Sequence, residues 1–377
     1  MTDDAIYDQL WHLASHPEAT VDLLALTSDE LHRILAIARI HGVLGLVLAQ
    51  ATDISSGTGT TWEHVRRAWK GEVVQSLRVR YHAQSVLDQL RQHGISAVQF
   101  KGPDFADHLY PDPRLRPTLD VDMLVPREQW TAAIRALEAM GHKEKPGQPH
   151  PVVSHGLISQ RTWVFPLPGA PIEVDLHWSL VHFPYFRKQA AIGYWDLDWQ
   201  WLPDGRGVLT PASRLIIAAV HAIYHHQFDR LLQLVDLQKA CAQVTSAAEQ
   251  QKARALAERT GTKLALDVAL QVTARLFDDA AVERFRQKLL GAALSIPLGL
   301  LQDARANLRT IHTSYVSPGA KRIRQWLMQQ PLRPEPGWEL RSSAAPKPQA
   351  KTPFQNWSPI VDTGWSWGPP LKAPKQS

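Results

Sequence analysis

The amino-acid sequence predicts an α+β chain in which a strand-bearing core lies between two helical regions. Three observations carry that reading. Residues 1–94 and 209–330 are dominated by amphipathic stretches with apolar residues at helical spacing. Between them, over 95–208, the pattern changes to short runs that alternate as strands do. Two of these runs carry carboxylates at every second position: Thr118-Leu-Asp-Val-Asp-Met-Leu-Val125 and Ile172-Glu-Val-Asp-Leu-His-Trp178.

In chain order, Thr27-Ser-Asp-Glu30 has the form of a capping box, and Leu31, Ile34, Leu35 and Ala38 give the helix behind it an apolar face ended by Gly42. Gly57-Thr-Gly59 marks a loop. A long Arg-rich amphipathic helix follows from about Trp62 to His93 and is closed by Gly94. Its Arg66, Arg67, Lys70, Arg78 and Arg80 read as a solvated face. The run Ile95 to Phe100 suits a strand that delivers Lys101-Gly102, with a helical turn at Pro103 to His108. Tyr110-Pro-Asp-Pro-Arg-Leu-Arg-Pro117 is a proline-punctuated loop. The acidic strand is expected at 119–125 and a helix at 127–140, closed by Gly141. Strands at 160–167 and 172–178 are expected to form a hairpin through Pro168-Gly169. Helices follow near 211–227, 229–243, 247–259 and 262–276. The segment 331–377 holds ten of the 27 prolines and four of the 14 tryptophans without aliphatic periodicity, which predicts an extended or disordered tail. Its Trp365-Ser-Trp367 suits docking on the body of the protein or on a protein partner.

Composition narrows the function classes. The single cysteine, Cys241, rules out a disulfide framework or a Cys-rich zinc site within the chain. An acidic, polar start and no run of about 18 apolar residues predict a cytoplasmic protein with no membrane span. A formal charge of +5 and a pI near 9.3 suit a phosphate-bearing ligand but fall short of the basic stripe of a nucleic-acid binder.

Side chains alternate along a strand, so Asp120 and Asp122 share one face while Leu119, Val121 and Met123 take the other. Paired carboxylates make a poor core but a good seat for divalent metal against a nucleotide's phosphates. Nucleotidyl transfer needs an attacking hydroxyl, the α-phosphorus and the leaving pyrophosphate in line, and two Mg²⁺ about 3.5–4 Å apart can stabilise both oxygens. A third carboxylate from a neighbouring strand completes the usual set. Asp175 is the choice here, central among Glu173, Asp175 and His177, with Glu173 as the fallback.

Phe100-Lys-Gly102, the run from Tyr110 to Val125, and Glu173-Val-Asp-Leu-His-Trp178 together resemble the uncharacterised nucleotidyltransferase family of the DNA polymerase β-like superfamily. The likeness runs from the N-terminal helices to the helical region near 276 and excludes the tail. It implies a small mixed sheet, Mg²⁺, and a nucleoside triphosphate (ATP in the first instance) as substrate. It also implies catalytic and metal-ligand roles for Asp120, Asp122 and Asp175. Many superfamily members open the site with Gly-Ser, whereas this chain has Lys101-Gly102.

Lys101 offers the phosphates a point charge, and Gly102 lets backbone approach them. Arg116 is expected to pair with phosphate oxygens or to fix Asp120 or Asp122, with a structural ion pair as the alternative. His221 and His225 lie four apart without the third ligand that zinc needs, so His225 is assigned to the nucleotide cleft, with Asp236 as its expected partner. Asp104 and Asp112 are expected as turn or capping residues. The acceptor is expected to be a hydroxyl on a small molecule, peptide or RNA, with the first two favoured over RNA. Three competing classes use similar residues: a nucleotide-dependent phosphotransferase, a metal-dependent glycosyltransferase, and a non-catalytic nucleotide-binding accessory protein. The helical character of the residues before the motif counts against the glycosyltransferase.

Overall fold

The computed structural model describes residues 2–16, 18–51, 58–148, 159–167, 170–201, 207–292, 296–309 and 317–330. The tail at 331–377 and the Pro168-Gly169 turn lie outside the described residues.

Four helices open the chain: α1 (Asp3–Ser15), α2 (Ser28–Ile40), α3 (Leu44–Gln50) and α4 (Thr60–Gln92). The capping box before α2 forms as expected, with Glu30 N–H donating to Thr27 Oγ1 and Thr27 N–H donating to the Glu30 carboxylate. All four apolar residues of its predicted face are buried.

The sheet has five strands: β1 (Val98–Gln99), β2 (Asp120–Leu124), β3 (Lys143–Glu144), β4 (Gln160–Phe165) and β5 (Ile172–His177). Their order is β1-β2-β5-β4-β3. The β2–β5 pair is parallel and the other pairs are antiparallel, so the sheet is mixed. The acidic strand is shorter than expected, and Leu119 sits outside it, 54% exposed, instead of joining Val121 and Met123 on the apolar face. Helix α5 (Gly102–Leu109) follows β1, and α6 (Trp130–Ala139) follows β2.

One face of the sheet is apolar because every second residue is. Val121, Met123, Trp163, Val174 and Leu176 pack there against Val79, Ala83, Val86 and Leu90 of α4 and Ala133 and Leu137 of α6. Each such side chain, fully buried, contributes about 1.5–3 kcal/mol. The opposite face holds the carboxylates.

Past a small ribbon of β6 (Trp199–Trp201) and β7 (Gly207–Leu209), the chain is helical again. Helix Pro211–Val220 runs into a π-helical turn at His221–His225, followed by helices Leu231–Gln243, Ala247–Thr260 and Lys263–Leu276. Leu215, Ile216, Leu234 and Leu266 from this region share one hydrophobic core with Leu10, Ile34 and Val47 of the N-terminal helices. Among the described residues, no helix is long and apolar enough to cross a membrane.

Candidate functional site

The parallel register of β2 and β5 sets Asp120 opposite Glu173, Asp122 opposite Asp175, and Leu124 opposite His177. Alternation then gathers Asp120, Asp122, Glu173, Asp175 and His177 on the face turned away from α4 and α6. Strand β4 adds its own polar pair, because Thr162 lies opposite Asp175 and Gln160 opposite His177. Thr162 Oγ1 donates to Asp175 Oδ1 at 2.5 Å, and Gln160 Nε2 donates to the other carboxylate oxygen. Glu173, the fallback third carboxylate, is engaged by Lys145 Nζ at 2.7 Å.

Lys101 reaches the site from a turn at positive φ (54°), a conformation rare outside glycine. Its Nζ is buried 2.9 Å from Asp122 Oδ1, and His177 Nε2 lies 3.1 Å from the same oxygen. Gly102 also has positive φ (26°), and a Cβ there would stand 3.2 Å from Thr118 Cγ2 and 3.5 Å from the Asp120 carbonyl oxygen.

Crowding of like charge shapes the protonation of this face. Burial, then the neighbouring Asp122 charge, pushes Asp120 up to about 6. Asp175 is raised well above the carboxylate range by burial and by Asp120 and Asp122. Burial opposes the Asp122 charge as well, but the Lys101 ammonium and the His177 N–H hold its carboxyl well below the usual range. Burial lowers His177 to about 4, so at neutral pH its imidazole is neutral.

Arg116 forms a structural ion pair, one of the alternatives its position offered. Its hydrogen bonds go to Asp236 (Nε–Oδ1 2.9 Å, Nη2–Oδ2 2.8 Å) and to the Gly102 carbonyl (3.2 Å) instead of to Asp120 or Asp122. Asp236 also accepts from Tyr110 Oη at 2.7 Å. It is therefore the partner of Arg116 and not of His225, whose Nε2 meets the Leu180 carbonyl at 2.5 Å. Asp104 likewise does more than cap a turn. Arg214 binds both of its oxygens at 2.9 and 3.1 Å, and the pair is buried. Asp112 is the expected cap, accepting from Arg114 N–H at 2.9 Å.

Histidine rings line up from the sheet into the C-terminal helices. His177 lies 5.0 Å from His182, His182 lies 3.9 Å from His225, and His225 lies 5.5 Å from His221. Burial holds His182, His221 and His225 well below the ordinary histidine value. Among the described residues, the ligating side chains that converge closely enough to hold a metal ion are Asp122, Asp175 and His177, with donor atoms within 4.8 Å of one another. Two of these were expected as ligands. His177 was not, although its alternation with Asp175 was the signal that places it there.

A small mixed sheet flanked by helices, with carboxylates of two paired strands gathered on one face, has the architecture of a nucleotidyltransferase. The chain belongs to the family described as uncharacterised nucleotidyltransferase, whose model matches residues 27–278, well over half of its length. No curated protein and no solved structure matches the chain.

Proposed function

We propose that this protein is a metal-dependent nucleotidyltransferase. It moves a nucleoside monophosphate from a nucleoside triphosphate, ATP in the first instance, to a hydroxyl on a small molecule or peptide, with release of pyrophosphate. The observation that carries the reading is the β2–β5 register, which brings Asp120, Asp122 and Asp175 onto one sheet face. The donor chemistry fits a divalent cation: hard carboxylate oxygens, buried and crowded so that two of the three acids are pushed upward in pKa. Asp120, Asp122 and Asp175 would hold Mg²⁺, which when bound polarises the phosphate and offsets charge on the departing pyrophosphate.

Lys101 adds a point charge on the phosphate side of Asp122, and Gly102 leaves its backbone open to phosphate oxygens. Arg116 holds that turn from behind through the Gly102 carbonyl. His225 lines the nucleotide side. Asp175, steadied by Thr162 and Gln160, accepts the proton of the attacking hydroxyl. The hydroxyl oxygen bonds to the α-phosphorus as the bond from that phosphorus to pyrophosphate breaks.

Calorimetry of ATP binding with and without Mg²⁺, repeated on the Asp120→Ala/Asp122→Ala double variant, tests the site. Binding is expected to need both the metal and the acids. Metal-dependent binding that survives the double substitution overturns the assignment. Product mass identifies the reaction: a gain of a nucleoside monophosphate on the acceptor is expected, whereas a gain of phosphate alone would make the protein a phosphotransferase.

A further inference from the structure

We infer that Asp122, Asp175 and His177 form a mixed oxygen–nitrogen metal seat that selects Mn²⁺, or a related first-row divalent ion, over Mg²⁺. This rests on the proposed function and refines it by adding a ligand from outside the acidic set.

The three donors come from adjacent, paired strands, with Asp175 and His177 two residues apart on the same face. A six-coordinate ion with bonds of about 2.1 Å places its donors roughly 3 to 4.2 Å apart. The donor atoms here lie within 4.8 Å of one another, close to that span. His177 Nε2 already faces Asp122 Oδ1 at 3.1 Å.

The ring has little freedom to turn away. It is fully buried, edge-on to Phe100 at 4.9 Å and to His182 at 5.0 Å. Its Nδ1 has no hydrogen-bond partner among the described residues, and neither does Nε2 of the adjoining His182. A metal-bound Nε2 leaves the ring proton on Nδ1, next to the ring that carries the other partnerless nitrogen.

Donor type then decides the ion. Mg²⁺ keeps oxygen ligands and gains little from imidazole. First-row divalent ions accept nitrogen readily, and Mn²⁺ among them is also at home with carboxylate and phosphate oxygens.

The test uses the full chain with a non-hydrolysable ATP analogue. Mn²⁺ binding is followed by the loss of the free-ion EPR signal, and Mg²⁺ is measured by competition. Mn²⁺ is expected to bind at least about ten-fold more tightly than Mg²⁺. Pulsed EPR should show ¹⁴N coupling from a coordinated imidazole. His177→Gln should lose that coupling, and His177→Asp, an all-oxygen set, should lower the Mn²⁺ preference about ten-fold. Circular dichroism checks that both variants fold. Bound Mn²⁺ without nitrogen coupling in the unaltered protein overturns the inference even if neither variant folds, and so does a coupling that persists in His177→Gln. Failure of every divalent ion to bind would instead remove the proposed function itself.

Discussion

At the scale of single residues, the acidic face is held together against its own repulsion. The folded-state value of Asp120, about 6, lies above the ordinary 3.8. A raised carboxyl contributes stability that is complete below the unfolded value and lost as pH rises through the folded one. Asp120→Asn should therefore stabilise the fold at pH 7.5 without divalent ions by on the order of 1–3 kcal/mol, seen as a higher thermal midpoint, with the gain vanishing near pH 4. Thermal melts across that range check it; a loss at pH 7.5 would contradict it. The opposite sign holds at His82 and His142, whose Nε2 atoms meet at 2.9 Å. Burial lowers both, His142 to about 4. A depressed group contributes stability above its unfolded value, near 6.5, that is lost as pH falls through the folded one. The His82→Leu/His142→Leu variant is thus expected to show a shallower decline of thermal midpoint between pH 6.5 and 4 than the unaltered chain. The Asp120–Asp122 pair was legible in sequence because strand alternation has a short, strict period. The partners of Arg116 and Asp104 were not, because each lies more than a hundred residues away and only the tertiary fold chooses it.

Among elements, α5 is fastened to its surroundings by two buried ion pairs. Arg116–Asp236 holds the turn that precedes it, and Asp104–Arg214 ties its first turn to helix Pro211–Val220. Removing one partner of a buried pair leaves an uncompensated charge, so Asp236→Ala should cost about 3–5 kcal/mol in urea unfolding. The Arg116→Met/Asp236→Leu variant should recover much of that stability while loosening the Lys101–Gly102 turn, visible as weaker ATP binding. A second prediction concerns α3 against α4. A Cβ at Gly45 would come 2.7 Å from the Trp69 ring and 2.9 Å from the Leu115 carbonyl oxygen. Gly45→Ala should cost about 1–3 kcal/mol and shift tryptophan fluorescence. Helices were legible from their apolar stripes. Strand β3 was not, because two exposed residues show no period. The break expected between 211–227 and 229–243 falls about two residues earlier, after the π-helical turn at His221–His225, where Gln227 and Phe228 adopt positive φ (49° and 62°) without a glycine.

For the molecule as a whole, the helices before the sheet and those after it in the chain are packed into each other. Residues of α1, α2 and α3 share a core with Leu215, Leu234, Ala265 and Leu266, so the first 208 residues alone would expose much of that surface. A fragment ending at residue 208 should fail to unfold cooperatively in a thermal melt, and co-expression with 209–330 should restore the transition. The parallel pairing of β2 with β5 also governs where this protein can change length. Losing one residue inside Ile172–His177 would rotate Asp175 and His177 toward Trp163 and α4 and send Val174 and Leu176 to the polar side. Gain or loss between Glu144 and Gln160 leaves that phase untouched. The paired strands act as a ruler with fixed pitch, and a change in chain length spares the acidic face only where it falls in the links between its marks.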